Sequence, residues 1–101
     1  MTDLVKAIAK RLKDQYGAKE VILFGSYATG EETEESDVDL LVIAESQEGF
    51  FARQATVRRL LRDFKKKISL SPIILTPGEL NERRSRGDQF IETIIETGIR
   101  A

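Results

Sequence analysis

The longest uninterrupted apolar run in this chain is five residues, Leu40-Leu41-Val42-Ile43-Ala44. That is far short of the ~20 residues a helix needs to cross a bilayer. The run is apolar without alternation, so an extended segment there must be covered on both faces, as a central strand is. A second run, Val21-Ile22-Leu23-Phe24, carries β-branched residues and predicts a buried strand from about Lys19 to Phe24. Two short strands that need cover demand helices around them.

The rest of the chain supplies those helices. Leu4, Ile8, Leu12 and Tyr16 recur every four residues and predict an amphipathic helix over 3–16, capped by Thr2 or Asp3 and ended by Gly17. SYATG could form one helical turn, and GEETEES reads as an exposed loop. Phe50, Val57, Leu60, Leu61 and Phe64 predict a second long helix over about 48–67. ISLSPIILT reads as a third strand, in which Pro72 marks an edge, a bulge or the true start. Thr76, Pro77 and Glu79 form a capping-box helix start, and Asp88 caps a last helix that Gly98 ends. The order α-β-(short α)-β-α-β-α-α predicts an α/β (α+β) layer fold, and 101 residues suit one domain over 1–101.

Composition narrows the chemistry. There is no Cys and no His, which removes disulfides, thiolate nucleophiles, Ser-His-Asp arrangements and histidine-ligated metals. Carboxylates, hydroxyls, Lys and Arg remain, a set suited to hard cations such as Mg²⁺. The amino-terminal residues show no signal-peptide pattern, so a cytoplasmic protein with no membrane association is expected. The net charge is −1, yet it is uneven: residues 31–39 hold six acids and no base, leaving 16 basic against 11 acidic side chains elsewhere.

The informative segment is LFGSYATGEETEESDVDLLV. Gly25 follows a buried strand, where a backbone without Cβ lets a ligand approach closely. Ser26 begins the next turn, with N–H groups and a hydroxyl suited to phosphate. Asp37 and Asp39 are two apart at a strand start and so share one face, while Val38 and Leu40 point into the core. Two carboxylates held together repel unless a cation neutralises them. Mg²⁺ takes one or two carboxylates plus substrate phosphate oxygens, so these are parts for nucleotidyl or phosphoryl transfer.

Gly25-Ser26, ten residues, then Asp37-x-Asp39 resembles the signature of the polymerase-β-like nucleotidyltransferases, and the short chain resembles their minimal, single-domain (MNT) group. The resemblance extends from the first helix to the late segment FIETIIETGI. It implies the nucleotidyltransferase fold, a small mixed sheet of three to four strands packed on helices, with the helices on one face. It further implies that Gly25 and Ser26 bind the triphosphate of ATP, that Asp37 and Asp39 are catalytic metal ligands for Mg²⁺, and that Ser36 helps hold the Asp37 loop. Many minimal members are encoded beside a HEPN-domain protein and transfer AMP to a tyrosine of that partner, as antitoxin to toxin. An AMP transfer to a HEPN-type partner is therefore the expected activity.

Two departures bear on that expectation. The resemblance implies a third carboxylate on the third strand, but here Ser71 and Pro72 stand where it would be sought. An Arg often present near Thr29 is also missing, so the phosphate site lacks a local base. The alternative is a catalytically impaired module that neutralises a HEPN-type partner by binding alone, its acidic loop meeting a basic groove. Direct nucleic-acid binding is not expected; homo- or hetero-oligomers remain open. The basic residues Arg58, Arg59, Arg62 and Lys65–Lys67 read either as a solvated helix face or as contacts for triphosphate or partner.

Overall fold

The computed structural model describes residues 2–101. Helix α1 (Asp3–Arg11) starts where Thr2 Oγ1 accepts the Val5 N–H at 3.2 Å, and it runs into a π-helical turn, Leu12–Tyr16, that ends at Gly17. Then follow β1 (Glu20–Phe24), the one-turn helix α2 (Ser26–Thr29), β2 (Val38–Ile43), α3 (Phe50–Leu60) and β3 (Leu70–Leu75). Helices α4 (Pro77–Ser85) and α5 (Gln89–Thr97) and a two-residue strand β4 (Ile99–Arg100) complete the chain. No helix among the described residues is long and apolar enough to cross a membrane.

The four strands form one mixed sheet in the order β3-β2-β1-β4. β1 is antiparallel to both β2 and β4, while β2 and β3 are parallel. Parallel neighbours need a crossover, which α3 supplies. The expected run Leu40–Ala44 is fully buried at the sheet centre. One face (Val21, Leu23, Val38, Leu40, Val42, Ile74) packs on α1 and α3 through Val5, Ile8, Leu12, Val57, Leu61 and Phe64. The other face (Ile22, Leu41, Ile43, Leu75) packs on Ile91 and Ile94 of α5. Helices thus lie on both faces, not on one, because β2 is apolar at every position but Asp39, and Leu41 and Ile43 on the second face need cover as Val38, Leu40 and Val42 do on the first.

One further expectation is corrected. The second long helix does not continue to 67: after Leu60 the chain tightens into i→i−3 bonds and a 3₁₀ turn, Phe64–Lys66. The tighter path carries Phe64 back into the core, where Leu61 and Phe64 anchor the turn and three successive lysines stay outside. Of the three to four strands that the resemblance implies, the sheet has four; the fourth, β4, is two residues long, too short for periodicity to announce. It is fitted closely: a Cβ on Gly98 would overlap Ile22 and lie 3.1 Å from the Leu23 carbonyl oxygen.

The edge strand β3 resolves the role of Pro72. Ile74 N–H donates to Gln54 Oε1 at 3.0 Å, and Gln54 Nε2 donates back to the Ile74 carbonyl at 3.1 Å, so Ile74 points its backbone away from β2. Pro72 has the same parity, so its missing N–H falls on the outer edge and removes no ladder bond. Gln54 stands in for a neighbouring strand and closes the edge at that point. Arg53 beside it donates to the Ile74 carbonyl at 3.3 Å, to the Glu48 carbonyl at 3.0 Å and to both carboxylate oxygens of Glu79. Glu79 in turn completes the capping box of α4, accepting from Thr76 N–H at 2.9 Å.

Candidate active site

β1 ends at Gly25, whose φ of 74° and ψ of −155° lie in a region open essentially to glycine alone. A Cβ there would overlap Asp39 Oδ2 and stand 3.2 Å from its Cγ. The glycine therefore does two things: it turns the chain into α2, and it leaves room for the Asp39 carboxylate against the backbone. Ser26 opens α2, where Thr29 N–H bonds back to the Gly25 carbonyl at 3.3 Å. Ala28 N–H bonds to the same carbonyl at 3.1 Å, which leaves the Ser26 and Tyr27 N–H groups without a partner in the turn.

Asp37 and Asp39 arrive from the other side. The loop before them is closed by Ser36, whose Oγ accepts the Thr33 N–H at 2.9 Å, while Ser36 N–H donates to the Thr33 carbonyl at 3.1 Å. Asp39 is opposite Phe24 on β1, which places it one residue from Gly25. Asp37 is exposed and Asp39 half-buried. Burial first, and then the Asp37 carboxylate, push the Asp39 carboxyl above the ordinary aspartate value. The structure thus brings Gly25, Ser26, Asp37 and Asp39 to one corner of the sheet.

The third position is equally definite. β2 and β3 are in parallel register with Asp39 beside Ser71, and both side chains share the face of Leu41, Ile73 and Leu75. Phe24, Asp39 and Ser71 form one row across three strands, at the usual ~4.8 Å spacing. Pro72 lies on the opposite, core-facing side and is buried. A carboxylate completing the pair would therefore stand at Ser71, where a hydroxyl is found. Among the described residues no group of three or more carboxylates converges.

The donor set can be tested against a divalent cation. Two carboxylates from one strand face, one of them raised in pKa by burial and then by the other's charge, are a pair that a cation would relieve. Mg²⁺ keeps waters and substrate phosphate oxygens alongside one or two carboxylates. The residues fit that ion as a substrate-bridged ligand set, and they do not form an all-protein cage.

Two cavities flank this corner. One, of about 330 Å³, lies beside Ser71 and is lined by Phe50, Phe51, Gln54, Arg58 and Ile73. Phe51 is 84% exposed and meets Phe50 edge to face at 5.3 Å. The other, of about 510 Å³, is lined by Tyr27, Ser36 and Lys65–Lys67. The sequence leaves Lys65–Lys67 as a solvated helix face or as contacts for triphosphate or partner, and does not set Tyr27 and Ser36 beside them. The signal that could have paired them is the register of two parallel strand starts, which no local pattern reports.

A mixed four-stranded sheet of this order, covered by helices, is consistent with a nucleotidyltransferase fold. The family model of the nucleotidyltransferase domain matches residues 5–99, and the chain belongs to that family. It is similar to "Putative protein adenylyltransferase MJ1305" of Methanocaldococcus jannaschii, 34% identical over 89 residues, 80% of this chain and 58% of that protein. From the same organism, "Putative protein adenylyltransferase MJ0141" is 41% identical over 70 residues, 68% of this chain and 69% of that protein. "Protein adenylyltransferase MntA" of Thermococcus cleftensis is 46% identical over 39 residues, 39% of either chain. The match to MJ1305 spans less than two thirds of that protein's length.

Proposed function

We propose that this protein is an Mg²⁺-dependent protein adenylyltransferase acting in the manner its relatives' names describe. The observation that carries the reading is the convergence of the Gly25 cradle on Asp39, with Ser26 and Asp37 at the same corner. In this reading residues 1–101 form a minimal nucleotidyltransferase domain. Gly25 and Ser26 hold the phosphates of ATP. Asp37 and Asp39 would hold Mg²⁺, which would supply positive charge to the phosphoryl oxygens about the α-phosphorus. The acceptor hydroxyl oxygen bonds to the α-phosphorus, the bond to the β-phosphate oxygen breaks, and pyrophosphate leaves. The hydroxyl proton passes to a base on the acceptor or to water, because Ser71 is no base.

The acceptor proposed is a HEPN-type protein, modified as the toxin of a toxin–antitoxin pair in the cytoplasm. Incubation with ATP, Mg²⁺ and that protein should add one AMP-sized increment to the acceptor's intact mass. No increment, with an active family member as positive control, would sink the enzymatic reading.

The hydroxyl at Ser71 favours a second reading, a module that neutralises the same partner by binding alone. In that case Asp37→Asn with Asp39→Asn still neutralises the partner. Ser71→Asp separates the two readings: in the enzyme it raises AMP transfer, by up to about 10²-fold if it serves as base, and in the module it changes nothing.

A further inference from the structure

We propose a second, metal-independent anion subsite for the polyphosphate tail of a nucleotide, built by Lys65, Lys66 and Lys67 with Tyr27 and Ser36. The identity of its ligand rests on the transferase reading above; the site itself does not. The 510 Å³ cavity falls within the ~300–1,000 Å³ range of small-molecule sites. It carries three lysines against one carboxylate, Glu34. Among the described residues none of the three lysines takes part in an ion pair, whereas eight other pairs are formed elsewhere. Three adjacent like charges repel, and an anion between them relieves that cost.

The place of the cavity makes a nucleotide tail the fitting anion. Two of its walls adjoin the candidate catalytic residues: Tyr27 follows Ser26 directly, and Ser36 precedes Asp37 directly. The lysine wall is tied to the same corner by backbone. Val38 N–H donates to the Ser69 carbonyl at 2.8 Å, and Val38 is in register with Leu70. The strand start that delivers Asp37 is thus bonded to the residue two beyond Lys67. The turn bearing the lysines is anchored rather than free. Phe64 is buried beneath it, Lys67 and Ile68 N–H groups both bond to the Phe64 carbonyl, and the Arg11 guanidinium stacks 4.3 Å from the Phe64 ring centre. This supplies the base that the Tyr27-Ala28-Thr29-Gly30 turn lacks.

Calorimetry with inorganic tripolyphosphate in EDTA tests the site. The wild type should bind, with affinity falling as salt rises. Lys65→Gln with Lys66→Gln and Lys67→Gln should weaken binding at least ~10-fold, the lower end of what a focused charge cluster supplies. Arg58→Gln with Arg59→Gln and Arg62→Gln removes the same charge from outside this cavity and should change it by less than ~3-fold. An unaffected lysine variant, an equal loss in the arginine variant, or no binding by the wild type would each overturn the site. Any of these alongside intact AMP transfer leaves the enzymatic reading standing. Tripolyphosphate binding without AMP transfer sinks that reading and keeps the site.

Discussion

At the amino-terminal end of the β2–β3 pair, Asp37 and Asp39 share a face and, among the described residues, neither forms an ion pair; at the carboxy-terminal end, Arg53 and Glu79 pair with one another, and only Arg53 Nε of that guanidinium is left buried without a hydrogen-bond partner. Arg53 is buried to 4% exposure, yet it bonds to two carbonyls and a bidentate carboxylate that also caps α4. The Arg53 guanidinium, and then the Thr76 backbone, hold the Glu79 carboxyl below its ordinary value. Asp39 moves the opposite way, pushed up by burial and by Asp37. One pair is a closed structural device. The other is an open charge that the fold carries at a cost and that a ligand can relieve, which is the pattern of a functional site.

The largest way to break this comparison is at the open end. Asp37→Asn with Asp39→Asn should cut AMP transfer by about 10³-fold or more, since a metal supplies several kcal/mol at such a centre. Its melting temperature should hold or rise; a fall would mean the pair is structural. At the closed end the effect is on stability instead. Arg53→Met should cost about 3 kcal/mol in urea unfolding, the low end for breaking a buried pair, because Glu79 keeps 36% exposure. Gly25→Ala joins the two kinds of effect: its backbone is disallowed and its Cβ meets Asp39, so it should cost about 1–3 kcal/mol and displace the carboxylate from its place.

The smallest effect is the pH dependence, and the two ends have opposite signs. Asp39 binds its proton more tightly when folded, so its ionisation lowers stability as pH rises from its ordinary 3.8 through the raised folded value. Glu79 is depressed, so its contribution is present above its ordinary 4.5 and is lost as pH falls through the lower folded value. Without metal, Asp39→Asn should be more stable than wild type at pH 7, with the advantage gone in acid. Glu79→Gln should be less stable at pH 7, with its deficit gone in acid. Urea midpoints across the acid range check both.

Much of the open end was legible in the sequence because it is local. Gly25-Ser26 closes an apolar run, and Asp37 and Asp39 share a face by strand parity alone. The absence of a third acid was legible too, but not which residue replaces it: only the β2–β3 register assigns Ser71 to the row of Asp39 and Pro72 to the core. The closed end was hidden. Arg53 and Gln54 fall outside the apolar set Phe50, Val57, Leu60, Leu61 and Phe64, and their burial depends on Ile74 and Glu79, 20 or more residues away. The lysine turn was hidden for a related reason, since Phe64 fits a helical face whether the chain continues as α-helix or tightens. Cover on the second face of the sheet follows from the apolar run that opens the reading, yet which helix supplies it does not.

If the Asp37–Asp39 face is an open charge that a metal-bound nucleotide relieves, Mg²⁺ and ATP must bind there in a coupled way. Calorimetry of ATP with and without Mg²⁺, on wild type and on Asp37→Asn with Asp39→Asn, measures that coupling. Mg²⁺ should tighten ATP binding in the wild type, and the double variant should lose that tightening while keeping the metal-free component. Equal ATP affinity with and without Mg²⁺ in the wild type, or tightening that survives in the double variant, would contradict the claim.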